Sequence, residues 1–208
     1  MLTSQRRAVP ASLSWADGDP APVVLLGFST VPEQRDPAML QRALDALAPL
    51  PAHVVATTGA IVEPAELSAP ANAWLTPFAD HEQLMERAAV VVGHGGHGTM
   101  MRALRHGTPV VGIAAKGLDQ GPNTRLMEAW GVGRSLPPDA DASQIRAAVQ
   151  EILADDRFTA EARRLSRAFG VGDGADLAAD SIEALLARKT SASGTVPAPA
   201  IRAGDLTW

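Results

Sequence analysis

The chain has 208 residues, of which 46% are apolar and 20% are charged, and its formal net charge is −5 at pH 7. These values are ordinary for a globular protein, and they exclude a disordered chain and a strongly basic nucleic-acid-binding surface. The absence of cysteine excludes disulfide bonds, thiolate catalysis and cysteine metal sites. No apolar run approaches the roughly 20 residues of a membrane span, and the N-terminus lacks the apolar core of a signal peptide. We therefore expect a cytoplasmic protein that neither spans a membrane nor binds nucleic acid.

Strand and helix signals alternate along most of the chain. Apolar, β-branched runs predict six strands, at 22–28, 53–57, 73–76, 90–92, 109–113 and 133–136. Helical spacing, capping residues and terminating glycines predict helices at 37–48, 80–88, 100–106, 122–131, 143–154, 158–169 and 175–188. Residues 1–21 and 189–208 are rich in small residues and proline without periodicity. They predict a linker or disordered arm and a flexible tail on either side of one domain, 22–188.

This alternation predicts an α/β fold, a Rossmann-like doubly wound parallel sheet of about six strands with helices on both faces. A helical segment is expected to follow the sheet at its C-terminal end. If the strands have the common order 3-2-1-4-5-6, the loops after strands one and four face one cleft at the carboxyl edge of the sheet. Ser29 and Thr30, which follow strand one, would then lie beside the loop that begins at His94.

The fourth predicted strand ends in a glycine-rich loop that leads directly into a helix. The glycines of this stretch are Gly93, Gly95, Gly96 and Gly98. Thr99 is the expected N-cap of the helix. A strand, a glycine-rich turn and a helix N-terminus together form an anion site, because free N–H groups and the positive end of the helix dipole meet there. Phosphate is the expected ligand, although the glycine spacing matches neither the dinucleotide-binding motif G-x-G-x-x-G nor the P-loop motif G-x-x-x-x-G-K-[ST].

A longer pattern around this loop resembles a known family. The matching residues are His94-Gly95-Gly96-His97-Gly98-Thr99, Gly107-Thr108-Pro109-Val110-Val111, Asp119-Gln120, Asn123 and Gly131-Val132-Gly133. In this order and spacing they resemble the C-terminal, donor-binding half of the GT-B glycosyltransferases of the UDP-glucuronosyltransferase and antibiotic-glycosyltransferase family. The resemblance spans roughly residues 22 to 187, and its H-G-G-x-G-T and D-Q motifs are specific.

The resemblance implies roles for individual residues. It places His94 on the diphosphate of a nucleotide sugar, together with the loop and helix start, and Asp119 and Gln120 on hydroxyl groups of the donor sugar. Phe78 falls where many relatives have a tryptophan that stacks on the nucleotide base. With the two residues after strand one, the expected diphosphate-binding set is His94, Gly95, Gly96, Gly98, Thr99, Ser29 and Thr30. No metal or other cofactor is expected, because the chain has no Asp-x-Asp that would hold a divalent cation to the diphosphate.

Each of these assignments has a plainer alternative. His94 could be a structural histidine, Thr99 a simple helix cap, Asp119-Gln120 an ordinary acidic turn and Phe78 a core residue. His94 and His97 together could suggest zinc, but no third ligand stands nearby in the sequence. One departure from the family concerns Arg102, which replaces a glutamate that holds the ribose in many relatives and which cannot accept a hydrogen bond.

The resemblance implies the donor half of an inverting glycosyltransferase that transfers a sugar from a UDP- or TDP-sugar to a small hydroxylated acceptor, such as a bacterial secondary metabolite. Such enzymes take their catalytic base from the N-terminal, acceptor-binding domain, and nothing resembling that half is present. We therefore expect no catalytic base in this chain and no turnover by it alone, and the missing half would be an attached domain or a separate polypeptide. Two alternatives remain open: a GT-B-fold nucleotide-sugar epimerase, and a non-catalytic nucleotide-sugar-binding subunit.

Overall fold

The structure is a computed structural model, and it describes residues 19–114, 119–169 and 174–191. The chain divides after Phe169 into two compact units. The first unit contains the parallel sheet and six helices among its described residues. The second contains helix α7, Gly174–Ser191, which extends past residue 188, where the tail was predicted to begin. Most of the predicted arm 1–21 and tail 189–208 lies outside the described residues, so those domain limits stay predictions.

The six predicted strands are all present within a few residues of their expected limits. They are β1 (Val23–Gly27), β2 (His53–Thr57), β3 (Ala73–Thr76), β4 (Ala88–Gly93), β5 (Val110–Ile113) and β6 (Gly133–Leu136). The helices of the first unit are α1 (Pro37–Leu47), α2 (His81–Met85), α3 (His97–Arg105), α4 (Gln120–Ala129), α5 (Ala142–Ala154) and α6 (Asp156–Phe169). The α/β fold class predicted from the sequence is therefore confirmed.

The strands form one parallel sheet in the order β3-β2-β1-β4-β5-β6. This is the order expected from the sequence, and it makes β1 and β4 neighbours at the point where the strand order reverses. Their last residues, Gly27 and Gly93, are register partners. Because all strands are parallel, the loops that follow β1 and β4 leave the sheet side by side at its carboxyl edge.

The core consists of two apolar layers, one on each face of the sheet. Along β1, Val24 and Leu26 belong to the layer that contains residues of α1 and α5, whereas Leu25 belongs to the layer with α2, α3 and α4. All three are fully buried. Complete burial of a leucine side chain stabilises a fold by about 1.5–3 kcal/mol, so the strands that carry the site are rigidly held.

Among the helices of the first unit, α2 and α3 depart most from the limits that the sequence predicted. Helix α2 was expected to continue to about residue 88, but it ends at Met85 because Ala88 already pairs with β1 as part of β4. Helix α3 was expected to begin after Thr99, but it begins at His97 with Gly96 as its N-cap. The carbonyl of Gly96 accepts the first helical hydrogen bond, from the N–H of Met100 at 3.1 Å.

None of the helices in the described ranges is both long and apolar enough to cross a bilayer.

Candidate ligand-binding site

The loop between β4 and α3 is clamped against the start of α4. Gly95 has a φ of 84°, a left-handed conformation that favours glycine. A Cβ atom at Gly95 would lie 2.6 Å from Cγ2 of Thr124 and 2.8 Å from the carbonyl oxygen of Gln120. The side chain of Asn123 donates a hydrogen bond of 3.0 Å to the carbonyl of Gly95. The close approach and the left-handed turn together require glycine at this position.

Helix α3, like α4, starts without a side-chain cap from any described residue, whereas α1, α2 and α5 are capped. The N-cap residues of α1, α2 and α5 are Asp36, Asp80 and Asp141, and each carboxylate accepts a hydrogen bond of 2.9 Å from an N–H of the first turn. Helix α3 has Gly96 at this position and no acidic residue in its first turn. Its first N–H groups therefore keep their hydrogen-bonding capacity and their partial positive charge for an anion.

The N-cap prediction for Thr99 is wrong, and the helix geometry explains why. Thr99 is the third residue of α3, inside the first turn, because the helix already begins at His97. Its hydroxyl therefore cannot cap this helix, but its backbone N–H is one of the free donors. Apart from the neighbouring residues and the backbone of α3 itself, no described heavy atom lies within 4 Å of where a Cβ of Gly98 would be, so the second helical position is open to a ligand.

The imidazole of His94 lies against the start of α3. A Cβ atom at Gly96 would be only 2.5 Å from Nε2 of His94. His94 is 9% exposed, and its Nδ1 atom is buried without a hydrogen-bond partner among the described residues. Burial lowers the pKa of His94 below its ordinary value, although the negative charge of Asp119 opposes this shift. A neutral imidazole with an unsatisfied nitrogen thus stands beside the free N–H groups of the helix.

The loop after β1 reaches this imidazole, as the strand order predicted. The rings of Phe28 and His94 have centroids 6.4 Å apart. Ser29, which is buried, and His94 line one cavity of about 160 Å³. The structure does not bring Thr30 to the same place: Thr30 is exposed, and its methyl group packs against Gly59 in the loop after β2. The diphosphate assignment thus gains geometric support for Ser29 and none for Thr30.

The predicted sugar-binding pair lies at the start of α4, next to the glycine-rich loop. Asp119 is the N-cap of α4 and is exposed, and its carboxylate accepts a hydrogen bond of 3.3 Å from Asn123. Gln120 is only 3% exposed, and its Nε2 donates a hydrogen bond of 3.1 Å to Oε1 of Gln34 in the loop after β1. The carboxylate of Asp119 is therefore open to solvent, whereas the carboxamide of Gln120 is enclosed and hydrogen-bonded to Gln34.

Of the other residues from the sequence prediction, Phe78 lies apart from this centre, whereas His97 and Arg102 belong to helix α3 itself. Phe78 is 48% exposed and follows the edge strand β3, three strand positions from β4, so the core-packing alternative is wrong. His97 is exposed, and the described residues contain no group of three or more side chains that could hold a metal ion. Arg102 pairs through Nε with Glu82 of α2 at 2.8 Å.

Sequence reasoning did not identify two residues near the carboxyl edge. Gln34 lines the cavity beside His94, but its place depends on contacts with residues far away in the sequence, and no local pattern marks it. His81 hydrogen-bonds Thr57 at 3.0 Å above the end of β1, where a Cβ of Gly27 would lie 3.3 Å from its ring. The signal for His81 was only its position beside the helix cap Asp80, which is common to many surface residues.

Comparisons with known proteins agree with this architecture. Residues 41–171 match the family described as "Erythromycin biosynthesis protein CIII-like, C-terminal domain". A PGL/p-HBAD biosynthesis glycosyltransferase of Mycobacterium tuberculosis is 34% identical over 144 residues, which cover 69% of this chain and 33% of that protein. The chain thus spans about a third of the length of this relative.

Solved structures give the same assignment. The calicheamicin glycosyltransferase CalG4 superposes with a TM-score of 0.74 at 28% identity, over 82% of this chain and 44% of that chain. The glycosyltransferase VinC, solved in complex with dTDP, superposes with a TM-score of 0.65 at 27% identity, over 79% of this chain and 41% of that chain. The resemblance to the donor-binding half of GT-B glycosyltransferases is therefore confirmed, and the chain belongs to the family of erythromycin biosynthesis protein CIII-like C-terminal domains.

Proposed function

We propose that this chain is the donor-binding half of an inverting glycosyltransferase and that it binds the diphosphate of a UDP- or dTDP-sugar at the start of α3. The observation that carries this proposal is the uncapped helix start with the imidazole of His94 against it, a ring whose Nδ1 is buried and unsatisfied among the described residues. A buried polar atom without a hydrogen-bond partner is rare in folded proteins, and a bound ligand is one explanation for it. A diphosphate supplies acceptor oxygens for both the N–H groups and the imidazole.

The arrangement of the carboxyl edge suits an extended nucleotide sugar. With the diphosphate at α3, the exposed carboxylate of Asp119 lies on the side of α4, where it would accept hydrogen bonds from sugar hydroxyl groups. Phe78 lies on the opposite side, after β3. Strands in a sheet are about 4.8 Å apart, so β3 and β4 are separated by about 14 Å, a distance that a nucleoside diphosphate spans. We therefore assign the base to the Phe78 side and the sugar to the Asp119 side.

In such a reaction this chain would stabilise the leaving group. Negative charge builds up on the diphosphate oxygens as the bond to the sugar breaks. The free N–H groups of His97, Gly98 and Thr99, together with the helix dipole, are fixed in advance to receive that charge. A base is still needed to take the proton from the acceptor hydroxyl, and we assign it to the half of the enzyme that this chain does not contain.

A second half of the enzyme and an acceptor would complete the reaction. The chain covers 33% of its mycobacterial relative and 44% of CalG4, so a partner domain or polypeptide of comparable size would complete the active site. By name, these proteins are a PGL/p-HBAD biosynthesis glycosyltransferase and the calicheamicin glycosyltransferase CalG4. By analogy we assign a small hydroxylated acceptor, such as a bacterial secondary metabolite. We further propose that no divalent metal takes part.

Calorimetry on the full chain tests the proposal. We expect binding of dTDP or UDP without added metal, and no release of diphosphate from the corresponding nucleotide sugars by this chain alone. When the partner half and an acceptor are added, transfer should begin. A well-folded chain that binds neither diphosphate would refute the proposal. Release of diphosphate without any acceptor would instead favour an epimerase, and binding without turnover in every combination would favour a non-catalytic subunit.

A further inference from the structure

The cavity beside His94 has a polar wall that the resemblance to the family does not explain. This wall is a turn of 3-10 helix, Pro32–Gln34, in the loop between β1 and α1. The lining is mixed: its apolar members include Phe28 and Ile61, and its polar members are Ser29, Glu33, Gln34, Arg35, Asp36, Thr58 and His94. Gln120 lies outside the described lining of this cavity, although it hydrogen-bonds the side chain of Gln34.

The backbone of the Gln34 turn is held at both ends. On one side, the N–H of Val31 donates to Oγ of Ser29 at 3.1 Å, and the N–H of Gln34 donates to the carbonyl of Val31 at 2.9 Å. On the other side, Nε of Arg35 donates to the carbonyl of Ile61 at 2.7 Å, and Arg35 also forms an ion pair with Glu66. The turn is therefore tied to the loop after β2, and the side chain of Gln34 is presented from a fixed backbone.

The side chain of Gln34 is fixed by Gln120, which belongs to a distant part of the chain. Nε2 of Gln120 donates to Oε1 of Gln34 at 3.1 Å, and Gln120 is only 3% exposed. A carboxamide has one acceptor oxygen and two N–H donors. Because the oxygen of Gln34 already accepts from Gln120, the group that Gln34 offers to the cavity is its pair of N–H donors.

We propose that Gln34 contacts the donor sugar, and that Gln120 acts on the sugar through Gln34 by fixing the orientation of its carboxamide. The ligand class is a hexose of the nucleotide sugar, whose hydroxyl oxygens accept from the N–H groups of Gln34. A cavity of about 160 Å³ is smaller than the roughly 300–1,000 Å³ of complete small-molecule sites, so it suits part of a larger ligand. We place one edge of the sugar ring in it and leave the opposite edge to Asp119, which lies outside the described lining. The inference rests on the proposed function, because the diphosphate beside His94 brings the sugar to this cavity.

Substitution by methionine tests the role of Gln34, because it removes the carboxamide and keeps the length of the side chain. Calorimetry is done on the full chain with dTDP and dTDP-glucose, and with UDP and UDP-glucose. For the pair that the unaltered chain binds more tightly, Gln34→Met should weaken the nucleotide sugar about five-fold, the effect of one neutral hydrogen bond. Its affinity for the free diphosphate should change by less than about two-fold.

A double-mutant cycle separates direct from indirect action of Gln120. If Gln120 acts through Gln34, then Gln120→Met should reproduce the loss, and the double variant should be no weaker than Gln34→Met alone. Gln41→Met is the matched control. The carboxamide of Gln41 also links distant segments, because it hydrogen-bonds Asp45 within α1 and the backbone of Ser68 outside it, but Gln41 lies outside the described lining of the cavity. It should leave the affinity for both ligands unchanged.

Other outcomes would overturn the inference. An unchanged affinity of Gln34→Met for the nucleotide sugar, or an equal loss for the free diphosphate, would mean that Gln34 does not contact the sugar. Losses that multiply in the double variant would mean that Gln120 contacts the sugar independently. If Gln34→Met lowers the melting temperature, Gln34→Ala must give the same sugar-selective loss, or the inference fails. Absence of diphosphate binding by the unaltered chain would refute the proposed function itself.

Discussion

Replacing His94 by leucine should separate folding stability from ligand binding. The imidazole is 9% exposed, its Nδ1 has no hydrogen-bond partner among the described residues, and burial lowers its pKa. A buried polar group without a partner costs roughly 1–3 kcal/mol, and leucine of similar size avoids that cost. We therefore expect His94→Leu to fold with unchanged or higher stability. A gain of about 1 kcal/mol would raise the melting temperature by about 2–4 °C in a domain of this size.

Binding should change in the opposite direction. A hydrogen bond to a charged phosphate contributes about 1.5–3 kcal/mol, so His94→Leu should weaken dTDP or UDP at least about ten-fold. Thr99→Val is the comparison variant, because the substitution removes the hydroxyl but keeps the backbone N–H, which is the main donor expected at that position. It should lose no more than about five-fold.

The two variants are compared by thermal melting monitored by circular dichroism and by calorimetric titration with the free diphosphate. Two results would refute the reasoning about the helix start. One is a His94→Leu chain that binds the diphosphate as tightly as the unaltered chain. The other is a Thr99→Val chain that loses more affinity than His94→Leu while both remain folded.

Three further predictions concern the sugar, the metal and the pH. Asp119→Ala should weaken dTDP-glucose or UDP-glucose about five-fold and leave the free diphosphate nearly unchanged, and an equal loss for both ligands would contradict its place at the sugar. EDTA should not change diphosphate binding, and binding that requires restored magnesium or manganese would show that a cation takes part. Burial lowers the pKa of His81, so the folded chain binds fewer protons than the unfolded chain between the two pKa values. Stability is then complete above about pH 6.5 and falls as the pH decreases below it. The urea midpoint of unfolding is measured above and below that pH for the unaltered chain and for His81→Gln. The midpoint should change less with pH in His81→Gln. An equal change in both proteins would mean that His81 is not the cause.

The sequence alone determined the fold class and the approximate limits of the strands, whereas the strand order was assumed to be the common one, which the structure confirms. The buried strands are runs of apolar residues, β1 and β4 each end in a glycine, and the intervening helices have capping residues and apolar spacing. These signals are local, because they depend on neighbours a few residues apart. The loop at Gly95 and Gly96 was identified for the same reason, because a sharp turn before a helix requires glycines, and a cluster of glycines is visible in the sequence.

The tertiary structure alone decided which atoms stand at the site. Thr99 looks like a helix cap in the sequence, but the left-handed turn at Gly95, packed against α4, lets the helix begin at His97 instead. Gln120 looks like a ligand-binding residue beside Asp119, yet the structure buries it against Gln34, which lies 86 residues away along the chain. The orientation of a side chain depends on whichever distant element packs beside it, and the residues of one segment do not encode that contact by themselves.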